Sequence, residues 1–149
     1  MKQAPRVAVV ASRFNEMVTS RLLKNCVSTL KKKGIKARQI DIVRVPGAYE
    51  IPWAVQETAL SGDFDAVIAL GAILKGETPQ NHHMARAVIL HIQQISLKTR
   101  IPCILGVITP DDEAQALART SGELDRGRES ALAALAMLKL KERLGRGTA

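Results

Sequence analysis

The sequence predicts an α/β fold: a parallel sheet with right-handed crossovers and helices on both of its faces. Three features predict it. Short apolar or β-branched runs alternate with stretches whose apolar residues recur at helical spacing. Turn and cap residues mark the changes of period. No internal repeat or low-complexity linker breaks the alternation, so the 149 residues read as one domain.

The elements follow in order. RVAVVA (6–11) is a β-branched run and the first strand. Ser12-Arg13-Phe14-Asn15 reads as a loop, with Asn15 as helix N-cap and Glu16 in the first turn. Val18, Leu22, Cys26 and Leu30 mark one face of a helix that stops at Gly34. IDIVRV (40–45) alternates as strand two and is broken by Pro46-Gly47. A second helix follows through Trp53, Val55 and Leu60 to Ser61-Gly62. Strand three covers 66–70, and a third helix is expected from about Asn81 to Lys98, with Met84, Val88, Ile92 and Ile95 on one face. PCILGVI (102–108) is strand four. Pro110-Asp111-Asp112 caps a short helix to about Arg119, and Ser121-Gly122 interrupts. A last helix from near Asp125 carries Leu132, Leu135, Leu138 and Leu140, and residues 145–149 are expected to fray.

Composition narrows the partners. The apolar share is 46% and the charged share 24%, ordinary for a globular domain. No apolar run approaches membrane-spanning length, and the first residues lack the apolar core of a signal peptide. Cys26 and Cys103 sit in apolar patterns without metal-ligand spacing, which reads as reduced core thiols and a cytoplasmic setting. The net charge of +8 invites nucleic acid as a partner. Its bases gather at helix ends, where the helix dipole favours them, and aromatics are only 3%, too few for a stacking platform.

In a parallel sheet, ligands bind beyond the carboxyl ends of the strands. The loops at 12–15, 46–50, 71–80 and 109–112 are therefore the candidate site. The stretch LGAILKGETPQNHHM (70–84) is its centre: strand, glycine loop, helix start. Unpaired N–H groups and a partial positive charge at that start suit an anion; an ordinary strand-to-helix turn is the alternative reading. Phe14 either packs over its loop or stacks on a planar ring. Glu50, beside Tyr49, either binds hydroxyls or decorates a helix start. Lys75 and Glu77 flank Gly76. Arg119 ends a helix, while Arg126 and Arg128 open one, against the dipole preference, and so hint at an anion. The phosphate-loop and dinucleotide glycine spacings are absent. His82 and His83 diverge by about 100° on a helix and cannot easily share a metal.

Taken together, Arg13-Phe14-Asn15, VPGAYEIP (45–52), DAVIALGAILKGETP (65–79), GVIT (106–109), EAQALAR (113–119) and RGRESALAAL (126–135) resemble the lumazine synthase family of riboflavin biosynthesis. These stretches span nearly the whole chain in the family's order. The resemblance implies a flavodoxin-like three-layer sandwich with a four-stranded parallel sheet, pentameric assembly and active sites between subunits. It implies the condensation of 5-amino-6-ribitylaminouracil with 3,4-dihydroxy-2-butanone 4-phosphate, without cofactor or metal. It assigns Phe14 to stacking on the pyrimidine, Ala48 and Glu50 to the ribityl chain, Ala72, Ile73 and Leu74 to the uracil edge, and Tyr49 to the substrate-binding set. Glu77, Thr78 and Arg119 fall to the phosphate; Arg126 stands for a family lysine and Glu129 for a family glutamate.

Three positions depart from the family pattern. Gln80 stands where the family has a proton-shuttling histidine, and a glutamine cannot titrate. His83 lies three residues on and shares a helix face with Gln80, whereas His82 does not; both are candidates to replace it. Leu105 replaces a phenylalanine that a neighbouring subunit contributes. SGELDRG is one residue shorter than the turn associated with sixty-subunit capsids, so a pentamer or pentamer pair is expected. The competing readings are a weakened relative that binds a ribityl-pyrimidine, lumazine or flavin, and an assembly scaffold. An archaeal-type riboflavin synthase fits VPGAYEIP and GETP poorly, and nucleic acid comes last.

Overall fold

The computed structural model describes residues 3–146. Along the chain run β1 (Val7–Ser12), α1 (Glu16–Lys32), β2 (Ile40–Val45), α2 (Ile51–Leu60), β3 (Ala66–Ala72), α3 (Gln80–Thr99), β4 (Cys103–Ile108), α4 (Glu113–Ala118) and α5 (Arg126–Arg146). Single 3-10 turns at Ala37–Gln39, Ala48–Glu50 and Gly122–Leu124 punctuate the loops. The strands form one parallel four-stranded sheet in the order β2-β1-β3-β4. This is the predicted α/β architecture.

The layers follow from the two-residue alternation of strands. Val7, Val9 and Ala11 face one way and join Leu22, Cys26 and Leu30 of α1 with Ala131 and Ala134 of α5. Ala8 and Val10 face the other way and join Ile51 and Val55 of α2 with Val88, Ile92 and Ile95 of α3. The central strands β1 and β3 are buried along their whole length. Such continuous apolar runs are what a parallel sheet covered on both faces requires. After β1 the chain moves to β2 on one side, then returns past β1 to β3 on the other. That reversal opens a crevice at the carboxyl ends of β1 and β3.

Several expectations shift in detail. β1 takes in Ser12, which pairs with Val45, and β3 runs on to Ala72, which pairs with Ile108. Both strands therefore reach into stretches expected to be loop. Asn15 holds the N-cap position of α1 but makes no capping bond; it is left-handed, at φ 60° and ψ 49°. Asp112 does cap α4, its carboxylate accepting the Gln115 N–H at 2.7 Å. In α5 the buried face is Gly127, Ser130, Ala131 and Ala134, while Leu132 is exposed and Leu135 and Leu138 are half-buried. Small residues win this face because α5 lies directly against the backbone of α1. The helix continues through Arg146, and residues 147–149 of the stretch expected to fray lie outside the described residues. No helix among the described residues is long and apolar enough to cross a membrane.

Both cysteines are buried free thiols. Burial pushes the Cys26 thiol up from 9.0 to about 12, with the Asp125 charge adding to it. Burial pushes the Cys103 thiol up to about 11, against a smaller lowering by its hydrogen bond with Ser96. The unfolded chain ionises near the ordinary value, so the stability these neutral thiols contribute is complete below pH 9.0 and is lost as pH climbs towards 11 and 12. Denaturant midpoints measured at pH 8 and pH 10.5 are expected to fall less for the Cys26→Ala/Cys103→Ala double variant than for the parent. Equal falls would show that the thiols do not contribute.

Candidate active site

Two clefts open at the carboxyl side of the sheet, and they share no lining residue. The first, about 470 Å³, sits at the crevice between β1 and β3. Phe14 and Asn15 enter from the β1 loop, 47–50 from the β2 loop, and Ala72, Ile73 and Leu74 from the end of β3. Gly76, Thr78, Gln80, Asn81 and Met84 complete it from the glycine loop and α3. Phe14 is 71% exposed, an apolar ring with no core to join. Backbone bonds hold its loop: the Arg13 N–H donates to Val45 O at 2.8 Å and the Phe14 N–H to Pro46 O at 2.9 Å. The Glu50 carboxylate accepts the Gly47 N–H at 3.1 Å, which folds the proline-glycine turn back on itself and turns the acid towards the cleft. Ala48 is buried, so it offers backbone rather than side chain.

The second cleft, about 320 Å³, lies along the β4 edge of the sheet. Leu105 and 106–110 of β4 and its loop form its floor, with Ile89, Gln115, Arg119 and Arg126 around them. The two arginines are tied at the backbone, the Arg126 N–H donating to Arg119 O at 2.8 Å. The turn between them is anchored to α1 by Asn25, whose amide donates to Thr120 O at 2.7 Å. Arg126 pairs with Glu129 at 2.7 Å. Arg119 is half-buried, and its guanidinium has no partner among the described residues. An unpaired guanidinium, with its planar fork of donors, is suited to a phosphate.

Comparison with known proteins assigns the chain to a family. The family model described as 6,7-dimethyl-8-ribityllumazine synthase matches residues 4–142. The chain is 41% identical over 140 residues to the 6,7-dimethyl-8-ribityllumazine synthase of Salinibacter ruber, covering 93% of this chain and 90% of the relative. It is also 41% identical over 140 residues to the enzyme of that name from Pyrococcus furiosus, covering 94% and 87%. For the Protochlamydia amoebophila enzyme of that name the identity is 38% over 140 residues, covering 93% and 81%. The chain belongs to the 6,7-dimethyl-8-ribityllumazine synthase family.

The lumazine synthases are transferase-type condensing enzymes, and the chain is an enzyme of that kind. Most of the residues that the family resemblance assigns fall into two groups here. Phe14, Ala48, Tyr49, Glu50, Ala72, Ile73, Leu74, Thr78 and Gln80 line the first cleft; Leu105, Arg119 and Arg126 line the second. Glu129 lines neither but braces Arg126. Glu77, His82, His83 and Arg128 are exposed and line neither cleft of the protomer. Gln80, Asn81 and Met84 show which face of α3 meets the first cleft. At about 100° per residue, His83 lies roughly a third of a turn from the middle of that face and His82 nearly opposite. Sequence reasoning missed Asn81 and Met84 in this wall and Gln115 beside Arg119. The helical spacing of Met84 from Gln80 was a usable signal; nothing local marked Gln115.

Proposed function

We propose that the chain condenses 5-amino-6-ribitylaminouracil with 3,4-dihydroxy-2-butanone 4-phosphate to 6,7-dimethyl-8-ribityllumazine, at sites completed between neighbouring protomers of a pentamer or pentamer pair. The observation that carries this reading is the separation of the two clefts. The ring-stacking and hydroxyl-binding groups line one, the unpaired Arg119 lines the other, and no residue lines both. Leu105 supports it: 45% exposed on an edge strand, it is an apolar wall of the second cleft. A neighbour that sets its second cleft against the first would close Leu105 over the ring on Phe14 and bring Arg119 to the phosphate.

The chemistry then follows from placement. The 5-amino group attacks the ketone carbonyl and water leaves, giving an imine. Phosphate departs with its bonding electrons after loss of a proton next to the imine. The enol left behind takes a proton at its terminal carbon and loses its hydroxyl proton, which makes a new ketone. The ribitylamino nitrogen adds to that ketone, and a second water leaves. Arg119 stabilises the phosphate as charge builds on it. Holding the two reactants in register supplies about 7–11 kcal/mol. Gln80 cannot take the protons; a positioned acid–base group there is usually worth about 10²–10⁴-fold, so the enzyme is slow rather than inert.

The test is turnover: purified protein with both substrates must form lumazine above the uncatalysed background, and failure to do so ends the enzyme reading. Gln80 favours one second reading, a relative that binds the ribityl-pyrimidine or a flavin without converting it. Tight riboflavin binding with no turnover would select that one. Placement on α3 also separates the histidines. His83→Ala is expected to lower kcat by about tenfold, while His82→Ala stays within about twofold of the parent. Equal rates for both variants and the parent would show that neither carries protons.

A further inference from the structure

We infer that Asn15 is a positioning residue that sets the gap between the Phe14 ring and the backbone at the end of β3, and so fixes where the flat heterocycle lies. Residues before a helix normally adopt extended backbone and offer a side-chain oxygen to the first turn. Asn15 does neither: it is left-handed and makes no capping bond. Among the described non-glycine residues only Asn15 and Arg100 have positive φ, and Arg100 ends a helix, where that conformation is common. Asn15 instead sends its side-chain amide across to the next strand, donating to Ala72 O at 3.0 Å. Ala72 is the last residue of β3 and a wall of the first cleft.

The geometry has a specific consequence. The backbone N–H groups of Arg13 and Phe14 already tie the loop to the end of β2. The Asn15 amide adds the tie to β3 on the other flank. Phe14 is thus slung between two strand ends, and the backbone from Ala72 onward keeps a set distance from its ring. A ring stacked on Phe14 then meets that backbone at its edge. This assignment rests on the proposed function for the identity of the ring.

Asn15→Gly tests it without strain, because glycine accepts positive φ freely while lacking the amide. Asn15→Asp keeps the side-chain shape but turns a carboxylate oxygen towards Ala72 O. For both variants the dissociation constant of 6,7-dimethyl-8-ribityllumazine, read by fluorescence, is expected to rise about tenfold, the scale of one lost hydrogen bond. That of inorganic phosphate is expected to stay within about twofold, since the Asn15 amide bonds Ala72 O and neither Thr78 nor the arginines. A lumazine constant within about twofold of the parent in Asn15→Gly overturns the inference. So does equal weakening of lumazine and phosphate together with a lower unfolding temperature, which would mean general loosening. If the parent itself neither forms nor binds lumazine, it is the proposed function that has failed. The inference is then judged on amide hydrogen exchange. Faster exchange in Asn15→Gly confined to residues 12–16 upholds the tether, and unchanged exchange there overturns it.

Discussion

Arg119→Ala is expected to lower turnover by about 10²–10³-fold, the usual scale for losing one charged donor aimed at developing negative charge. The loss should fall on the phosphate-bearing substrate, with the affinity for ribitylaminouracil nearly unchanged, because Arg119 and Phe14 line different clefts. Phe14→Ala should show the reverse selectivity. The decisive form of the experiment combines the two. In a ring with head-to-tail contacts, each site takes its first cleft from one protomer and its second from the next. Co-expressed in equal amounts, the two weakened variants then rebuild about one intact site in four. Recovery of about a quarter of the parent rate is therefore expected. If the mixture is no faster than the two variants assayed apart, each site lies within one protomer and the shared-site proposal is wrong.

Gly127→Ala is expected to produce the largest loss of stability. A methyl group there would lie 2.3 Å from the carbonyl oxygen of Leu22, 3.0 Å from its carbonyl carbon and 3.1 Å from its Cα. All three are backbone atoms of α1, so no side chain can swing away and the two helices must part. Overpacking of this kind costs about 3 kcal/mol. Alanine's better helix propensity returns about 1 kcal/mol, leaving a net loss of about 2 kcal/mol. For a chain of this size that lowers the unfolding temperature by about 6 °C. Displacing the start of α5 also moves Arg126, so phosphate binding should weaken in the same variant. Gly76→Ala is the control: a methyl group there meets nothing within 4 Å, and stability should stay within about 0.5 kcal/mol of the parent. An unfolding temperature for Gly127→Ala within about 2 °C of the parent would show that the helix contact yields more readily than its geometry requires.

These two sites also mark how far the sequence could be read. Phe14 was legible, because an apolar residue in a loop after a buried strand has no local reason to be there. Arg119 was legible through its place in a family pattern, though no local signal said that its guanidinium would stay unpaired. Gly127 was not legible as a contact. Leu132, Leu135 and Leu138 carried the stronger apolar signal, yet the buried face belongs to Gly127, Ala131 and Ala134. Hydrophobic pattern reports which residues avoid water, not how closely a second helix will come. Asn15 failed in the same way: asparagine before a helix reads as a cap, and its partner Ala72 stands 57 residues away.

The sequence by itself determined the alternation of strands and helices, the loops that line the clefts and the membership of the family. These are one-dimensional properties, set by periodicity, turn residues and motif order. The tertiary structure alone decided the strand order, the approach of α5 to α1, the tether from Asn15 to β3 and the separation of the two clefts. Each of those depends on distances between segments far apart in the chain. Such distances arise only when both partners are packed, so neither partner's local sequence contains them.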